Sequence, residues 1–237
     1  MSQSQQKILQ MVSEGTITAQ EAAALLDAIS APGPTPAPRP EQPGTRPPPA
    51  VDLKDAELDG VNLRGARLEG ALLEGADLSH ASLVEADLRG ADLRDATLTG
   101  AHLDSANLRG ANLHEASLDG AHLDGANLRG ANLHSASLEN AHLDGADLRG
   151  ADLHEASLEN AHLDGADLRE ADLHEAELMN AVLTEANFRR ADLHGASMAN
   201  AHLAGVDFEG VHHPGLDLDG ARLEKGFRFQ AKAKTKE

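Results

Sequence analysis

The sequence predicts an all-β solenoid with four sides to each turn, preceded by a small α-helical hairpin and a proline-rich linker. Three observations carry the prediction. From Val51 to about Gly220 the chain keeps a five-residue period, with a small residue (Ala or Val) at the first position and a large apolar one at the third. Leu, Phe or Met fills that third position without a gap for 32 consecutive pentads, from Leu53 to Phe208. A second period of 20 residues overlies the first: AHLDGANLRGANLHSASLEN from Ala121 nearly matches AHLDGADLRGADLHEASLEN from Ala141, and the pattern recurs from Ala101 and Ala161.

Composition agrees with a narrow, repetitive interior. The chain has 237 residues and a normal hydrophobic share of 41%, yet four Phe are its only aromatics apart from His. Ala and Leu must do the packing. There is no Cys, which excludes disulfides, thiolate metal sites and cysteine nucleophiles and fits a reducing compartment. No apolar run approaches the length of a membrane span. The start, MSQSQQKILQ, lacks the basic and apolar regions of a signal peptide. These features are read as those of a soluble, cytoplasmic protein.

Residues 1–30 are expected to form a helical hairpin. Ile8, Leu9 and Val12 make one apolar stripe, and Ile17, Leu25, Leu26 and Ile29 make another at helical spacing. Gly15 ends the first helix, and Thr18 with Glu21 offers a capping box to the second. Two helices this short cannot bury a core alone. The apolar residues are therefore candidates for self-association through residues 1–30 or for docking on a partner, the alternative being a loosely ordered cap. The string KILQMVSEGTITAQEAAALLDAI resembles a short module at the start of bacterial regulatory and envelope-stress proteins. It contains no chemical motif and implies no function here.

Residues 31–50 hold nine of the ten prolines. This stretch reads as a polyproline-like spacer, with a reach of roughly 65 Å at about 3.1 Å per residue. The hairpin and the repeat body are expected to move independently.

In residues 51–230 each pentad reads as a short side followed by a corner. Its first three residues alternate in, out, in, as in a strand. The fifth is usually Gly, Asn, Ser, Asp or Glu, and Gly and Asn there suit the left-handed backbone of a tight turn. Twenty residues are four pentads, so residues i and i+20 should lie one above the other on a four-sided coil. At about 4.8 Å per coil, the eight coils from Val51 to Gly210 make a rod about 38 Å long. Both ends of such a stack need caps. At the C-terminal end the period breaks at His213-Pro214, and residues 211–230 are expected to cap the rod, with Phe227 or Phe229 over the last Leu layer. Residues 231–237, AKAKTKE, form a basic tail.

The pentad A(D/N)LXX is the motif of the pentapeptide-repeat family, and the chain resembles that family over about 170 residues. The resemblance implies a right-handed quadrilateral β-helix. It also implies one kind of partner, since some members mimic DNA and bind the basic saddle of type II topoisomerases. The C-terminal dimerisation helix of some members is not visible here, and Leu rather than Phe dominates the centres.

The 20-residue register sorts the outward residues into columns. One face carries His102, His122, His142, His162 and His202 beside Asp104, Asp124, Asp144 and Asp164. The next carries Arg89, Arg109, Arg129, Arg149, Arg169 and Arg189. A third carries His114, His134, His154, His174 and His194, flanked by Glu115, Glu155 and Glu175. The fourth carries Asp119, Glu139 and Glu159. Met179, Val182, Ala199 and Ala204 interrupt the polar columns near the C-terminal end and form a candidate contact patch.

These columns narrow the function. Ser and His recur as surface decoration, as in His154 with Ser157, and a convex rod offers no obvious pocket. No catalytic residue is assigned and an enzyme is not expected. The His-x-Asp pairs would be open and flat without outer partners, so no metal site and no cofactor is expected. Net charge is −19 overall, with −22 in residues 51–220 and +4 in residues 221–237. An acidic body argues against direct nucleic-acid binding and for a basic protein partner or simple solubility. Over residues 101–180 the four faces carry −4, +1, −5 and −4. That is one negative charge per about 1.6 Å at the expected rise, close to the one per about 1.7 Å of B-DNA. The leading reading is a non-enzymatic scaffold for protein–protein interaction. The alternative is an acidic DNA mimic that binds a type II topoisomerase, such as gyrase, through the faces of Asp104, Asp124, Asp144, Asp164, Asp119, Glu139 and Glu159.

Overall fold

The computed structural model describes residues 3–14, 19–30 and 51–223. Two helices, α1 (Gln3–Glu14) and α2 (Ala19–Ser30), precede the repeat body. The expected linker, the Thr18–Glu21 capping box, Phe227, Phe229 and the basic tail lie outside the described residues.

From Asp52 to Arg222 the second residue of every pentad forms a parallel bridge with the residue 20 positions on, as in Asp52 with Leu72 and His202 with Arg222. Four pentads therefore close one turn, and successive turns stack in register. Three backbone bonds per pentad join the coils: Leu53 N–H donates to the Leu72 carbonyl at 2.7 Å, Asp55 N–H to the Glu74 carbonyl at 2.9 Å, and Leu72 N–H to the Val51 carbonyl at 2.8 Å. A fourth bond closes each corner, as where Ala56 N–H donates to the Leu53 carbonyl at 3.2 Å. The corner's last residue has positive φ throughout, from Asp55 at 54° to Gly215 at 73°.

The first and third positions fill the interior. The Leu column is fully buried from Leu53 to Leu193, Phe188 included, and the Ala column beside it is sealed as tightly. Phe188 and Phe208 stack at 5.5 Å, the aromatic step in an otherwise aliphatic ladder. Among the described residues no polar or charged residue is buried. Burying one Leu side chain stabilises by about 1.5–3 kcal/mol, so this ladder dominates the stability of the rod.

The two ends differ. At the C-terminal end Val206, Val211, Leu216, Leu218 and Ala221 are only partly buried and Leu223 is exposed. At the N-terminal end Leu53 and Leu58 are fully covered. The hairpin supplies the cover. Ile8, Met11, Ala22, Leu25 and Ala28 belong to the same apolar core as the first coil, with Val12, Leu26, Ile29 and Val51 packed against it. Arg67 N–H in that coil donates to the Ala28 carbonyl at 3.3 Å. The expectation of independent motion is thus corrected: two helices too small for their own core find one on the open end of the solenoid.

Candidate functional site

The functional surface is built from the outward positions of the pentads. The second position, where the motif places Asp or Asn, ties its own corner. Asn132 Oδ1 accepts from His134 N–H at 3.0 Å, and Asp152 and Asp192 do the same for His154 and His194 at 3.1 and 3.0 Å. The fourth and fifth positions then project with fixed backbone, one coil rise apart.

The first His column stacks from His102 through His122 and His142 to His162, with ring centroids 4.7–5.0 Å apart. Val182 stands where the next imidazole would be, between His162 and His202. The Asp column beside it faces inward along the axis more than the sequence implies. Asp124 accepts from Asp144 N–H at 3.0 Å, Asp144 from Asp164 N–H at 2.9 Å and Asp164 from Thr184 N–H at 2.8 Å. Asp104 lies 4.0 Å from His102 Nδ1. On the fourth face Asp119 accepts from Glu139 N–H and from the Ser137 hydroxyl, while Glu139 is exposed and Glu159 half-buried. Nothing in the sequence pattern distinguishes these backbone-bound carboxylates from free ones.

The Arg column is divided by its second-position neighbour. Where that residue is Asp, the guanidinium is clamped by two parallel bonds, as in Arg89 on Asp87 at 2.7 Å and Arg169 on Asp167 at 2.6 and 2.8 Å. The Arg149 clamp draws the Asp147 carboxyl below the ordinary aspartate range, and Arg169 does the same to Asp167. Beside Asn107 and Asn127, Arg109 and Arg129 are exposed and make no ion pair among the described residues, whereas Arg189, beside Asn187, reaches Glu209 on the next coil at 2.7 Å. The same face therefore carries two open cations, Arg109 and Arg129, between neutralised ones.

The second His column runs from His114 to His194 with centroids 4.7–5.2 Å apart, some stacked and some edge-on. Carboxylates stand beside it: Glu115 Oε1 is 3.8 Å from His114 Nδ1, and Glu175 Oε1 is 3.5 Å from His174 Nε2.

The candidate interaction residues fall into two groups. Ile8 and Leu25 are fully buried within the chain, Val12, Leu26 and Ile29 are partly buried against the core, and Leu9 is 44% exposed. The hairpin's apolar stripe is thus mainly buried within the chain's own core. Met179 and Val182 are half-buried on adjacent faces of the rod.

Comparison with known proteins identifies this architecture. Pentapeptide-repeat models match in eight copies, spanning residues 56–224, and the chain belongs to the pentapeptide-repeat family. A SHOCT-like domain model matches residues 4–33. HetL, a pentapeptide-repeat protein involved in heterocyst differentiation regulation from Nostoc sp. strain PCC 7120, is 32% identical, with 75% of this chain and 91% of HetL covered and a TM-score of 0.40. QnrB1, a plasmid-mediated fluoroquinolone resistance protein, is 21% identical, with 71% of this chain and 90% of QnrB1 covered and a TM-score of 0.53, a likeness of fold. No curated protein sequence matches the chain. Among the described residues no helix is long and apolar enough to cross a membrane.

Proposed function

We propose that the chain is a non-enzymatic scaffold for protein–protein interaction, a right-handed four-sided rod that works in the cytoplasm. One observation supports this reading above others: among the described residues every buried side chain is apolar, and every polar group stands outside at a fixed spacing. Such a surface offers repeated contacts to a partner and no enclosed, desolvated group for chemistry. The partner surface that best suits it is basic, because three of the four faces are acidic. The contact patch is placed at Met179 and Val182, with Leu9 of α1 as a second apolar point. Affinity capture with the full chain tests this. A partner retained by the wild type and lost by Met179→Asp/Val182→Asp is expected, and equal retention by both would remove the patch from the reading.

A second reading, binding to a type II topoisomerase as a DNA mimic, draws on the charge density of the three acidic faces. It is weakened by the Asp column, whose carboxylates at 124, 144 and 164 already accept backbone amides. A supercoiling assay separates the two readings. Mimicry requires inhibition or protection of the enzyme that disappears in an Asp119→Asn/Glu139→Gln/Glu159→Gln variant, whereas a scaffold for another partner leaves supercoiling unchanged.

A further inference from the structure

The two His columns differ in what stands beside the imidazoles. In the column of His122 and His142 the neighbouring carboxylates are turned along the axis onto backbone amides. In the other column they lie among the rings. Glu155 Oε1 is 3.6 Å from His154 Nε2, and its Oε2 is 3.9 Å from His134 Nε2 and accepts from the Ser135 hydroxyl at 3.3 Å. One ligand atom from each of His154, Glu155 and Glu175 lies within 4.8 Å of the other two.

We propose that His154, Glu155 and Glu175 bind one divalent transition-metal ion of the zinc class, with water completing its coordination. The donor set is one imidazole and two carboxylates, which suits zinc, nickel or copper, whereas magnesium and calcium take oxygen alone. Along the fifth-position column (Asp95, Glu115, Ser135, Glu155, Glu175, Gly195) consecutive carboxylates occur twice, and among the described residues only the second pair, Glu155 and Glu175, gathers a His donor atom within 4.8 Å. They stand one coil apart and neither pairs with Lys or Arg among the described residues, so a cation between them relieves a like-charge contact.

The backbone holds both stalks in place. Glu155 N–H donates to the His174 carbonyl at 2.9 Å, and Glu175 N–H to the His194 carbonyl at 2.8 Å. Room for the Glu175 side chain comes from the next coil, where a Cβ on Gly195 would stand 3.2 Å from Glu175 Cγ. Tetrahedral zinc with bonds of about 2.0 Å sets its donors about 3.3 Å apart. The Glu155 and Glu175 side chains are 50% and 57% exposed, free enough to rotate across the remaining distance. The position also lies on the most acidic face, which concentrates cations.

Calorimetric titration of the metal-free full chain with Zn²⁺, in excess Mg²⁺, tests the site. His154→Asn, Glu155→Gln and Glu175→Gln should each weaken binding by about tenfold or more. His122→Asn in the other column should leave it unchanged. Far-UV circular dichroism and the thermal midpoint in chelator should match the wild type for all four variants. Co²⁺ bound to the wild-type protein should give visible d–d bands of a low-coordinate nitrogen–oxygen site. The proposal is overturned if the three variants bind Zn²⁺ like the wild type, if His122→Asn weakens binding equally, if Mg²⁺ competes on equal terms, or if Co²⁺ gives only the spectrum of the hydrated ion.

Discussion

At the second position of a pentad the side chain has a task that hydrophobic patterning hides. Asp or Asn there accepts the N–H two residues on and sets the corner, as Asn132 does for His134 at 3.0 Å. The corner's last residue then takes positive φ, which costs an L-residue about 1–2 kcal/mol. Gly130 has φ +64° and a Cβ there would meet nothing within 4 Å, so Gly130→Ala isolates the backbone term. Its unfolding free energy in urea should fall by about 0.5–1 kcal/mol, the strain added less the chain entropy that glycine loses on folding. Glu115, at φ 57°, provides the reverse case: Glu115→Gly should gain about 0.5–1 kcal/mol, the strain relieved less the extra chain entropy of glycine. The Asp/Asn choice also sets a pH dependence. Asp147 is held below its ordinary range by the Arg149 guanidinium, so its folded pKa is depressed. The stability it contributes is present above the unfolded aspartate value of about 3.9 and is lost as pH falls through the folded value. Asn107 and Asn127 show that Asn keeps the corner bond at this site, so Asp147→Asn removes the charge and spares the fold. The midpoint difference between Asp147→Asn and wild type should be small at pH 7 and vanish in strong acid. A difference that persists there would assign the effect to packing.

At the scale of the element, the coil was legible and the cap was not. Leu at the third position of nearly every pentad and the 20-residue register lead directly to the i to i+20 bridges, because a five-residue period fits neither helix nor simple strand and only stacked coils satisfy both repeats. The columns were legible for the same reason. What a column's side chains do was less so. That Asp144 bonds the amide of Asp164, or that Glu175 reaches toward His154, depends on rotamers and on which neighbour is glycine, and the register fixes only which residues are adjacent. The hairpin's destination was invisible because Ile8 and Leu25 form an apolar stripe that any apolar surface could cover. The open end of the solenoid is the nearest one. If the hairpin is the cap, weakening it must act locally, since each coil contacts only its neighbours. Leu25→Ala should cost about 2–5 kcal/mol at that interface. Hydrogen exchange should quicken at the Arg67 amide and across the first coil, with residues 131–150 unchanged. Faster exchange throughout the rod would instead mean that the hairpin supports the whole stack.

The molecule as a whole is a charged rod, and the balance of its charges decides how it responds to salt. Residues 51–220 carry 33 acids against 11 bases. Clamped pairs such as Arg89 with Asp87 and Arg169 with Asp167 stabilise the fold and are weakened by screening. They are few, and at contact distance salt screens them little. The unpaired acids interact across whole faces. At 0.01 M ionic strength the Debye length is about 30 Å, comparable with the rod's length of about 38 Å, so nearly every acid repels every other. At 0.15 M it is about 8 Å, less than two coil rises, and most of that repulsion is gone. Unfolding lets the acids move apart, so the repulsion falls mainly on the folded state. The repulsive term therefore outweighs the paired one, and the thermal midpoint should rise with NaCl from low to physiological ionic strength and then level off. Asp147→Asn, which removes an acid but leaves Arg149 with its longer contact to Asp167 at 3.6 Å, should follow the same curve. Replacing Glu139 and Glu159 by Gln, which removes acids that make no ion pair among the described residues, should flatten it. A midpoint that falls with added salt would mean that the clamped pairs, and not the uncompensated faces, govern the electrostatics of the rod.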